Sequence, residues 1–399
     1  MSFAFFTVDL ALDGDDKPYI LEFNNGMQSG FSGFERSTGK NMLNDIVLPN
    51  LVKRNYKKFW LDHVFAPKHP LVSSAERKYR IPLLNTDIYL SVGEQKLKKQ
   101  FMTCSATNQI LFPRPPYRSD IYSKFSRVAI SHRAAKIQQR KAQRAGNNNI
   151  TVAGDSQTYM ALCEDKSFYA KITDTLNLNG KISPYQKAYT LPELKKGIPS
   201  EFKNKDRFVI KAVSLCRGEG IKIATSANYT DILESVIEEN RYYTHGASQS
   251  GDQEVYVLQE FIDTPPMSIK EAYDAVRHAS FLDKKTMLGK ISGKIANHFY
   301  GKVFEDSTDA LPRRHVIRLA LTFEKDNKVH LHDGYRKFSA DIYDDTPEDD
   351  VSDDAFKSEA AYAAPILIKE KQRIFKALES DLNTVMNHVF THDKLYPAP

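Results

Sequence analysis

The sequence predicts a mixed α+β fold made of more than one unit. A chain of 399 residues exceeds the size of one small domain. Its 41% hydrophobic and 27% charged residues are ordinary for a globular protein. From residue 155 onward, strand-like and helix-like segments alternate, which is typical of mixed sheets with covering helices.

Several classes of protein are excluded by composition. No apolar run approaches the ~20 residues that span a bilayer, and MSFAFFTVDLALDGDD has neither the basic start nor the cleavage site of a signal peptide. The three cysteines, Cys104, Cys163 and Cys216, are far apart, which argues against a structural zinc site or disulfides. We therefore expect a cytoplasmic protein without membrane contact, although export without a signal stays open.

The net charge of +6 is spread unevenly. Residues 124–144 form a basic run with a helical pattern, and residues 341–354 form an acidic one. A basic helix is more often a solvated face than a nucleic-acid site, so nucleic acid is not an expected partner. The acidic run has no apolar period and is expected to connect two units.

The first segments predict a hairpin followed by a helix. Residues 3–12 and 19–23 have the pattern of two strands, and DGDDKP between them supplies turn residues. Residues 41–60 carry apolar side chains at helical intervals. Residues 65–149 are punctuated by prolines, with strand-like DIYLSV inside, and ITVAG at 150–154 predicts another strand.

The second half of the sequence predicts two helices, at residues 157–175 and 228–240. It also predicts a strand after Pro184 and five further strands, at residues 208–211, 221–224, 255–262, 316–324 and 328–331. The tail, residues 359–392, is expected to be largely helical because its apolar residues form one stripe. This stripe comprises Ile366, Ile368, Ile374, Leu378, Leu382, Val385 and Val389.

The segment RFVIKAVSLCRGEGIKIAT, residues 207–225, is a candidate phosphate site. A strand ends at Lys211, and the loop that follows holds Arg217, Gly218 and Gly220. Glycines let backbone N–H groups approach phosphate oxygens, and a lysine adds a point charge. The segment has neither a Walker A nor a dinucleotide pattern. Taken alone, an ordinary hairpin with a glycine turn explains it equally well.

Two neighbouring segments change this interpretation. Upstream, a predicted helix contains Asp165 and Lys166, and downstream VYVLQEFIDT is an apolar strand that leaves a sheet. The end of such a strand can present backbone groups to an adenine edge, with Glu260 and Asp263 near the ribose. Each segment alone is equally a core strand or an amphipathic helix.

The ordered set resembles the nucleotide-binding half of the ATP-grasp family. The resemblance implies ATP as cofactor, bound by Lys166, Lys211, Arg217, Gly218, Gly220, Gln259, Glu260, Phe261, Ile262 and Asp263. The later segment HVIRLALTFEKDNKVHLHDGYRKFS resembles the same family, which implies that Arg318 and Arg336 face the transferring phosphate as catalytic residues. An arginine fork suits that task because it holds two oxygens at once.

The metal-binding strands of the family appear at the opposite end of this chain. After Arg336 no strands of that kind are recognisable, whereas TVDLAL carries Asp9 and ILEFN carries Glu22 and Asn24. The chain thus resembles circularly permuted ATP-grasp ligases similar to glutathionylspermidine synthetase, which implies Mg²⁺ held by these three residues. Residues two apart on a strand share a face, and Mg²⁺ prefers oxygen ligands. A solvated strand end is the alternative.

The resemblance implies an ATP- and Mg²⁺-dependent carboxylate–amine or carboxylate–thiol ligase. Its partners would be a small-molecule or peptide carboxylate and an amine, joined through an acyl-phosphate with release of ADP. One alternative is an ATP-grasp-type small-molecule kinase, and another is an inactive protein of this fold that binds a protein partner. Cys216 is expected to pack rather than react, and His330 and His332 to be a surface or substrate-facing pair rather than metal ligands.

Five units are expected along the chain. Residues 1–60 would supply the metal-binding strands and a helix, and residues 61–154 a middle module that binds substrate. Residues 155–250 would form the nucleotide-binding subdomain, and residues 251–345 would form a second subdomain. These two α+β subdomains would together grip ATP. Residues 346–399 would form the acidic connection and a C-terminal helix.

Overall fold

The computed structural model describes residues 3–25, 156–213, 220–243, 254–282, 310–324, 326–339 and 358–391, four short strands between residues 58 and 152, and a few isolated residues. Within these residues it is a mixed α+β structure, as the sequence predicts. No helix in this part of the chain combines the length and the apolar character needed to cross a bilayer.

The strands in chain order are β1 Ala4–Leu12, β2 Pro18–Asn25, β3 Lys58–Leu61, β4 Leu83–Asn85, β5 Gln109–Leu111, β6 Ile150–Val152, β7 Gln186–Thr190, β8 Phe208–Ala212, β9 Ile221–Ala224, β10 Val255–Glu260, β11 Met267–Ser268, β12 Pro312–Arg313, β13 His315–Phe323, β14 Val329–Ser339 and β15 Ser358–Pro365. The helices are α1 Gln157–Glu164, α2 Lys166–Thr175, α3 Leu191–Leu194, α4 Tyr229–Tyr243, α5 Ile269–Leu282 and α6 Ile368–Thr391.

The main sheet joins both ends of the chain. Its strand order is β15-β14-β13-β1-β2, and every neighbouring pair is antiparallel. The predicted N-terminal hairpin, β1 and β2, is confirmed, and Asp13 Oδ1 closes its turn by accepting from the backbone N–H groups of Asp15 and Lys17 at 3.0 and 2.9 Å. β1 lies between β2 and β13, so the first strand is an interior strand of a sheet completed near the end of the chain.

One face of the main sheet carries the largest core. Alternate residues of β1, including Phe6, Val8 and Leu10, point to this face because strand side chains alternate. They pack with Ile317, Leu319 and Leu321 of β13 and with buried residues of α1, α2 and α6. On α6 these are Ile374, Leu378, Leu382, Val385, Met386 and Val389.

A second sheet carries the candidate phosphate segment. Its order is β7-β10-β8-β9, all antiparallel. Phe208, Ile210 and Ala212 of β8 pack in a core with residues of α4, which leaves Val209 and Lys211 on the other face. The predicted strands β7, β8 and β9 and the predicted helix α4 are therefore confirmed, with small changes at their ends.

The main sheet is joined to the second sheet through α2 and the turn that precedes β7. The backbone N–H of Ile20 on β2 donates to the carbonyl of Ile182 at 2.6 Å, and the Tyr169 hydroxyl of α2 donates to the carbonyl of Ile20 at 2.9 Å. Phe23 of β2 meets the Tyr169 ring edge-on, with centroids 5.3 Å apart. These contacts hold β2 against the segment that leads into β7.

Four predicted elements need correction. The helix predicted at 157–175 is two helices, since Asp165 ends α1 and caps α2 by accepting from the N–H groups of Ser167 and Phe168. The strand predicted at 255–262 stops at Glu260, and the one predicted at 328–331 extends to Ser339. The tail is not helical from its start, because residues 358–365 form β15 on the edge of β14. Ile368 is exposed and lies off the apolar stripe.

The middle region contains a parallel sheet of order β4-β3-β5-β6. The helix predicted at 41–60 is wrong at its end, where residues 58–61 form β3; Pro49 and Val52 are helical, and its other residues lie outside the described ones. The strand predicted at the start of ITVAG is confirmed as β6. The predicted strand DIYLSV and most of both charged runs lie outside the described residues, and the division into five units stays a prediction.

Candidate functional site

A cluster of charged residues occupies the face of the main sheet opposite the α6 core. Asp9 is directly opposite Glu22 on one side and Arg318 on the other, and Arg318 is opposite Tyr335. Cross-strand partners share a face, so these four side chains project together. Lys337, two residues after Tyr335, joins the same face.

Asp9 and Arg318 form a buried bidentate ion pair. Arg318 Nε and Nη2 donate to the two carboxylate oxygens of Asp9, both at 2.5 Å, and Lys337 Nζ lies 3.4 Å from Asp9 Oδ2. Burial alone would raise the pKa of Asp9, but the charges of Arg318 and Lys337 outweigh burial and hold that pKa far below its ordinary value. Burial lowers the pKa of Lys337, although Asp9 partly offsets the shift.

The role of Asp9 as a metal ligand stays a prediction, and the structure adds a second role. Both of its carboxylate oxygens accept hydrogen bonds from Arg318, so the residue orients the guanidinium. The sequence could not show this, because Asp9 and Arg318 are 309 residues apart.

Glu22 and Asn24 lie side by side, as their spacing predicts. Asn24 Nδ2 donates to Glu22 Oε1 at 3.2 Å, and Glu22 Oε1 is 3.9 Å from Arg318 Nη2. The Glu22 side chain keeps 35% of its surface exposed, so it is accessible to a ligand. A carboxylate and an amide on one strand face fit the hard oxygen donors of a Mg²⁺ site, although two residues are fewer than the three predicted.

Lys211 approaches this face from the second sheet. Its side chain is buried, with the residue 7% exposed, and no hydrogen bond or ion pair reaches it from the described residues. The pKa of Lys211 is lowered to about 8, chiefly by burial; Glu22 and Asp9 oppose this shift, and Lys166 contributes to it. The electrostatic influence of Glu22 and Asp9 indicates that this amine lies near the charged side of the main sheet.

Lys166 stands at the start of α2, beside the same strand. Its Nζ donates to the Ala212 carbonyl at 3.2 Å, at the end of β8. The Ala212 N–H in turn donates to the carbonyl of Gly220 at 2.7 Å, which closes the β8–β9 hairpin. Gly220 has a φ of 61°, a left-handed conformation that glycine adopts readily. Arg217 and Gly218 lie outside the described residues.

The two acidic residues predicted to lie near the ribose, at and after the end of β10, are already paired with cations. Gln259 is buried, and its Nε2 has no hydrogen-bond partner among the described residues. Glu260 forms an ion pair with Lys205, and Asp263 lies 3.1 Å from Arg314 and 3.5 Å from Arg207. The Arg207 guanidinium lies 4.7 Å from the centre of the Phe261 ring, and Ile262 follows in irregular chain. The adenine-edge role of this segment stays a prediction.

Arg336 lies away from the cluster. It pairs in register with Ile317, whose side chain packs into the α6 core, so it is on the opposite face from Arg318. There it donates to His315 Nε2 at 2.6 Å and forms an ion pair with Glu370 of α6. The structure therefore does not bring Arg336 together with Arg318, because the sheet separates the two guanidinium groups, and the phosphate-binding role of Arg336 stays a prediction.

Lys337 and Tyr335 are the residues of the cluster that sequence reasoning missed. Both follow DG in GYRKFS, and period-two spacing places them on one face with Arg336 on the other. Which face holds Arg318 becomes visible only with the β13–β14 register. His330 and His332 are at the far end of that hairpin, where His330 lies 3.0 Å from Asp326 and His332 lies 2.7 Å from Thr322.

Comparisons with known proteins give structural likenesses only. No protein-family model and no curated protein matches the sequence. The chain is similar to a candidate γ-glutamylcysteine synthetase from Methylobacillus flagellatus KT, at 9% identity and a TM-score of 0.39 over 99% of this chain and 91% of that one. It is also similar to the biotin carboxylase domain of the Hydrogenobacter thermophilus 2-oxoglutarate carboxylase, solved with MgADP, at 9% identity and a TM-score of 0.29 over 76% and 68% of the two chains. Likenesses of this extent carry no functional argument.

Proposed function

We propose that the protein is an ATP- and Mg²⁺-dependent ligase of the circularly permuted ATP-grasp type, joining a carboxylate to an amine or a thiol. The main support is that residues far apart in the sequence lie close together in the structure. Asp9 and Glu22 belong to the first two strands, whereas Lys211 and Arg318 come much later in the chain. The sequence resemblance supplies the reaction class, and the contacts of β2 with α2 and with the turn before β7 support the composite site.

The cationic residues would bind and align phosphate groups. Lys211 has a buried ammonium without an ion pair in the described part of the chain, so an entering phosphate would compensate a desolvated charge. Lys166, anchored on the Ala212 carbonyl, would hold the neighbouring oxygens. Arg318 is fixed in position by Asp9, and fixed charges cost little reorganisation when charge develops in a reaction.

Glu22 and Asn24 would hold the metal ion. Mg²⁺ in such a site would shield the phosphate oxygens from the attacking carboxylate. Because Glu22 and Asn24 supply two ligands, waters and phosphate oxygens would complete the coordination, as is usual for Mg²⁺. In this proposal Asp9 acts through Arg318 as a positioning residue.

Calorimetric titration of ATP, with and without Mg²⁺, tests the proposal. We expect binding that requires Mg²⁺ and that is lost in Glu22→Gln and in Lys211→Ala. Each variant should keep the ligand-free melting temperature of the wild type to within about 2–4 °C, the shift that roughly 1 kcal/mol causes in a protein of 150–250 residues. Lys222→Ala, which removes an ammonium from β9, is the matched control and should bind ATP like the wild type. A wild-type chain that binds no ATP would overturn the proposal.

One observation favours an inactive protein of the same fold as the second candidate. The hydrogen bonds from Arg318 occupy both carboxylate oxygens of Asp9, a residue that the sequence predicts as a metal ligand. An inactive protein would bind ATP without Mg²⁺, or not at all, and Glu22→Gln would leave that binding unchanged. The same titration therefore separates the two candidates.

A further inference from the structure

Three side chains at the turn between β13 and β14 converge on one point. Glu324 directly follows β13, Asp326 lies in the turn, and His330 is the second residue of β14. Each offers one ligand atom, and these three atoms all lie within 4.8 Å of one another. The sequence predicts a surface or substrate-facing role for His330, and the structure adds two carboxylates beside it. An imidazole that faces two carboxylates is a mixed set of metal-binding side chains rather than an acidic patch.

The distances between these atoms suit a single metal ion. His330 Nε2 lies 3.0 Å from Asp326 Oδ2 and 3.7 Å from Glu324 Oε2. An ion with tetrahedral geometry and ligands at about 2.0–2.2 Å holds its ligand atoms about 3.3–3.6 Å apart. Small side-chain rotations therefore suffice to place one ion between all three groups.

Hydrogen bonds from outside the three ligands orient both carboxylates. Thr322 Oγ1 donates to Glu324 Oε1 at 2.8 Å, which leaves Oε2 as the oxygen nearer to His330. The backbone N–H of Lys328 donates to Asp326 Oδ1 at 3.2 Å, and Oδ2 is the oxygen nearer to the imidazole. In metal sites, ligating carboxylates are held by outer hydrogen bonds of this kind. Each carboxylate thus has one oxygen held and one directed towards His330.

Helix α6 fixes the turn that carries the ligands. Asn383 Oδ1 accepts from the backbone N–H of Val329 at 2.6 Å, and Asn387 Nδ2 donates to the carbonyl of Asn327 at 3.1 Å. These contacts come from a different element and hold the backbone of the turn on both sides of Lys328. A backbone that is already in place lowers the cost of ordering the ligands around an ion.

The ligand types indicate the class of ion. An imidazole nitrogen suits Zn²⁺, whereas Mg²⁺ and Ca²⁺ prefer oxygen ligands alone. The two carboxylates supply the negative charge that a divalent ion requires. The side chains of His330 and Asp326 are 41% and 49% exposed, so an ion can enter from solvent. Three protein ligands leave the fourth tetrahedral position of Zn²⁺ to a water molecule.

We propose that the β13–β14 turn is a Zn²⁺-binding site, with His330 Nε2, Glu324 Oε2 and Asp326 Oδ2 as ligands. The ion takes the place of the hydrogen bond between the imidazole and Asp326, and the imidazole then carries its proton on Nδ1. Glu324 is six residues beyond Arg318 in extended chain, roughly 20 Å at about 3.3 Å per residue. The Zn²⁺ site is therefore separate from the site of the proposed function.

Calorimetric titration of the full chain with ZnCl₂ tests the proposal. Excess Mg²⁺ is present throughout, so that sites with oxygen ligands alone are filled. We expect saturable binding of Zn²⁺ that His330→Ala weakens at least about tenfold, because loss of even an outer contact of a metal site costs about 10–100-fold. His278→Ala, at an exposed position on α5, is the matched control and should bind Zn²⁺ like the wild type. Absence of saturable binding, or wild-type binding by His330→Ala, would overturn the proposal.

Two variants of Thr322 test the geometry without a change of charge. Thr322→Val removes the hydroxyl that holds Glu324 and should weaken Zn²⁺ binding about tenfold or more, whereas Thr322→Ser keeps the hydroxyl and should bind close to the wild type. Equal binding by these two variants would overturn the proposed ligand arrangement. If Thr322→Val does not fold, His330→Ala still decides. ATP binding should be unchanged in His330→Ala, so the two proposals can fail independently.

Discussion

The buried ion pair of Asp9 and Arg318 contributes more to placing the guanidinium than to the free energy of folding. Moving two charges out of water costs several kcal/mol for each ion, and their attraction offsets this only with good geometry and further hydrogen bonds. Both oxygens of Asp9 are occupied by Arg318, and Lys337 is nearby, so the geometry meets that condition. The pair fixes the guanidinium at a defined place on the sheet.

Breaking this pair from one side should be costly. Asp9→Asn leaves Arg318 buried without its counter-charge, so we expect the free energy of unfolding to fall by about 3–5 kcal/mol at pH 7. Urea denaturation followed by circular dichroism measures the change. Glu22→Gln, at a partly exposed position 3.9 Å from the same arginine, serves as the control and should cost less than about 1 kcal/mol. Equal losses in both variants would show that the pair does not behave as a buried unit.

The ionisation of Lys211 should be visible in stability against pH. Its pKa in the folded chain is about 8, below the ordinary 10.5, so the unfolded chain binds the proton more tightly. The cost of burying the charge is thus fully present below pH 8 and is relieved as the pH rises towards 10.5. We expect the wild type to gain stability over this range relative to Lys211→Met, measured by urea denaturation at pH 7, 8, 9 and 10. A constant difference between the two proteins would contradict the lowered pKa.

The members of the candidate site were predictable, but not all of their roles. Residue types and strand positions predicted Glu22, Asn24, Lys211 and Arg318, and the structure brings these four together. Arg336 was expected beside Arg318 but lies on the opposite face of the sheet. The face on which it lies depends on the register between β13 and β14, which the sequence of one strand does not reveal. A sequence shows that a strand alternates, but not which of its faces a distant partner shares.

At the scale of elements, β13 and β14 approach each other closely at one glycine. A Cβ built on Gly334 would lie 2.7 Å from Leu319 Cδ2 and 3.0 Å from the carbonyl oxygen of Arg318. The leucine end can move, but the backbone oxygen belongs to the strand that carries Arg318. The absence of a side chain at this position therefore sets the distance between the two strands.

Gly334→Ala should consequently destabilise the protein. We expect a loss of about 1–3 kcal/mol, the usual range for overpacking a buried site. Gly14→Ala is the matched control, because nothing lies within 4 Å of a Cβ at that turn, and its stability should be close to that of the wild type. Thermal unfolding of both variants provides the measurement. A wild-type midpoint for Gly334→Ala would mean that the strands separate without cost.

Helices and strands could be predicted from the sequence where their own residues carry a clear pattern. The hairpin β1–β2 and the strands β8, β9 and β13 were predicted because apolar, β-branched residues end at clear turns. β15, with the sequence SEAAYAAP, was predicted as part of the helical tail because the apolar stripe follows it directly, and its alanine and glutamate residues also favour helices. Pairing with β14 overrides this propensity, and such long-range pairing leaves no trace in the segment itself.

At the scale of the whole molecule, the two ends of the described chain share one core. The Tyr159 hydroxyl of α1 donates to the carbonyl of Phe5 at 3.1 Å, and its ring stacks on Phe390 of α6 at 5.5 Å. Ser156 Oγ donates to the carbonyl of Val389 at 2.9 Å. The first strand, the first helix of the second half and the last helix therefore stabilise one another.

Removal of residues 358–399 should expose the N-terminal hairpin. This deletion takes away β15 and α6 and with them much of the apolar surface that covers β1. We expect the amides of Phe6, Val8 and Leu10 to exchange with solvent at rates near those of an unfolded chain, measured by hydrogen exchange and mass spectrometry. The control is full-length Ile368→Ala, which alters an exposed residue of α6 and should keep the protection. Protected β1 amides in the deletion would show that the hairpin has an independent core.

The place of β1 between β2 and β13 also has a consequence for how the protein is made. On a ribosome that adds about 5–20 residues per second, the 309 residues from Leu10 to Arg318 take roughly 15–60 s to appear. Throughout that interval the nascent hairpin presents the unpaired edge and the apolar face that β13 and α6 later cover. Slower elongation lengthens this exposure, so the yield of folded protein in cells should depend on codon usage between the two halves and on chaperones that hold a bare strand edge.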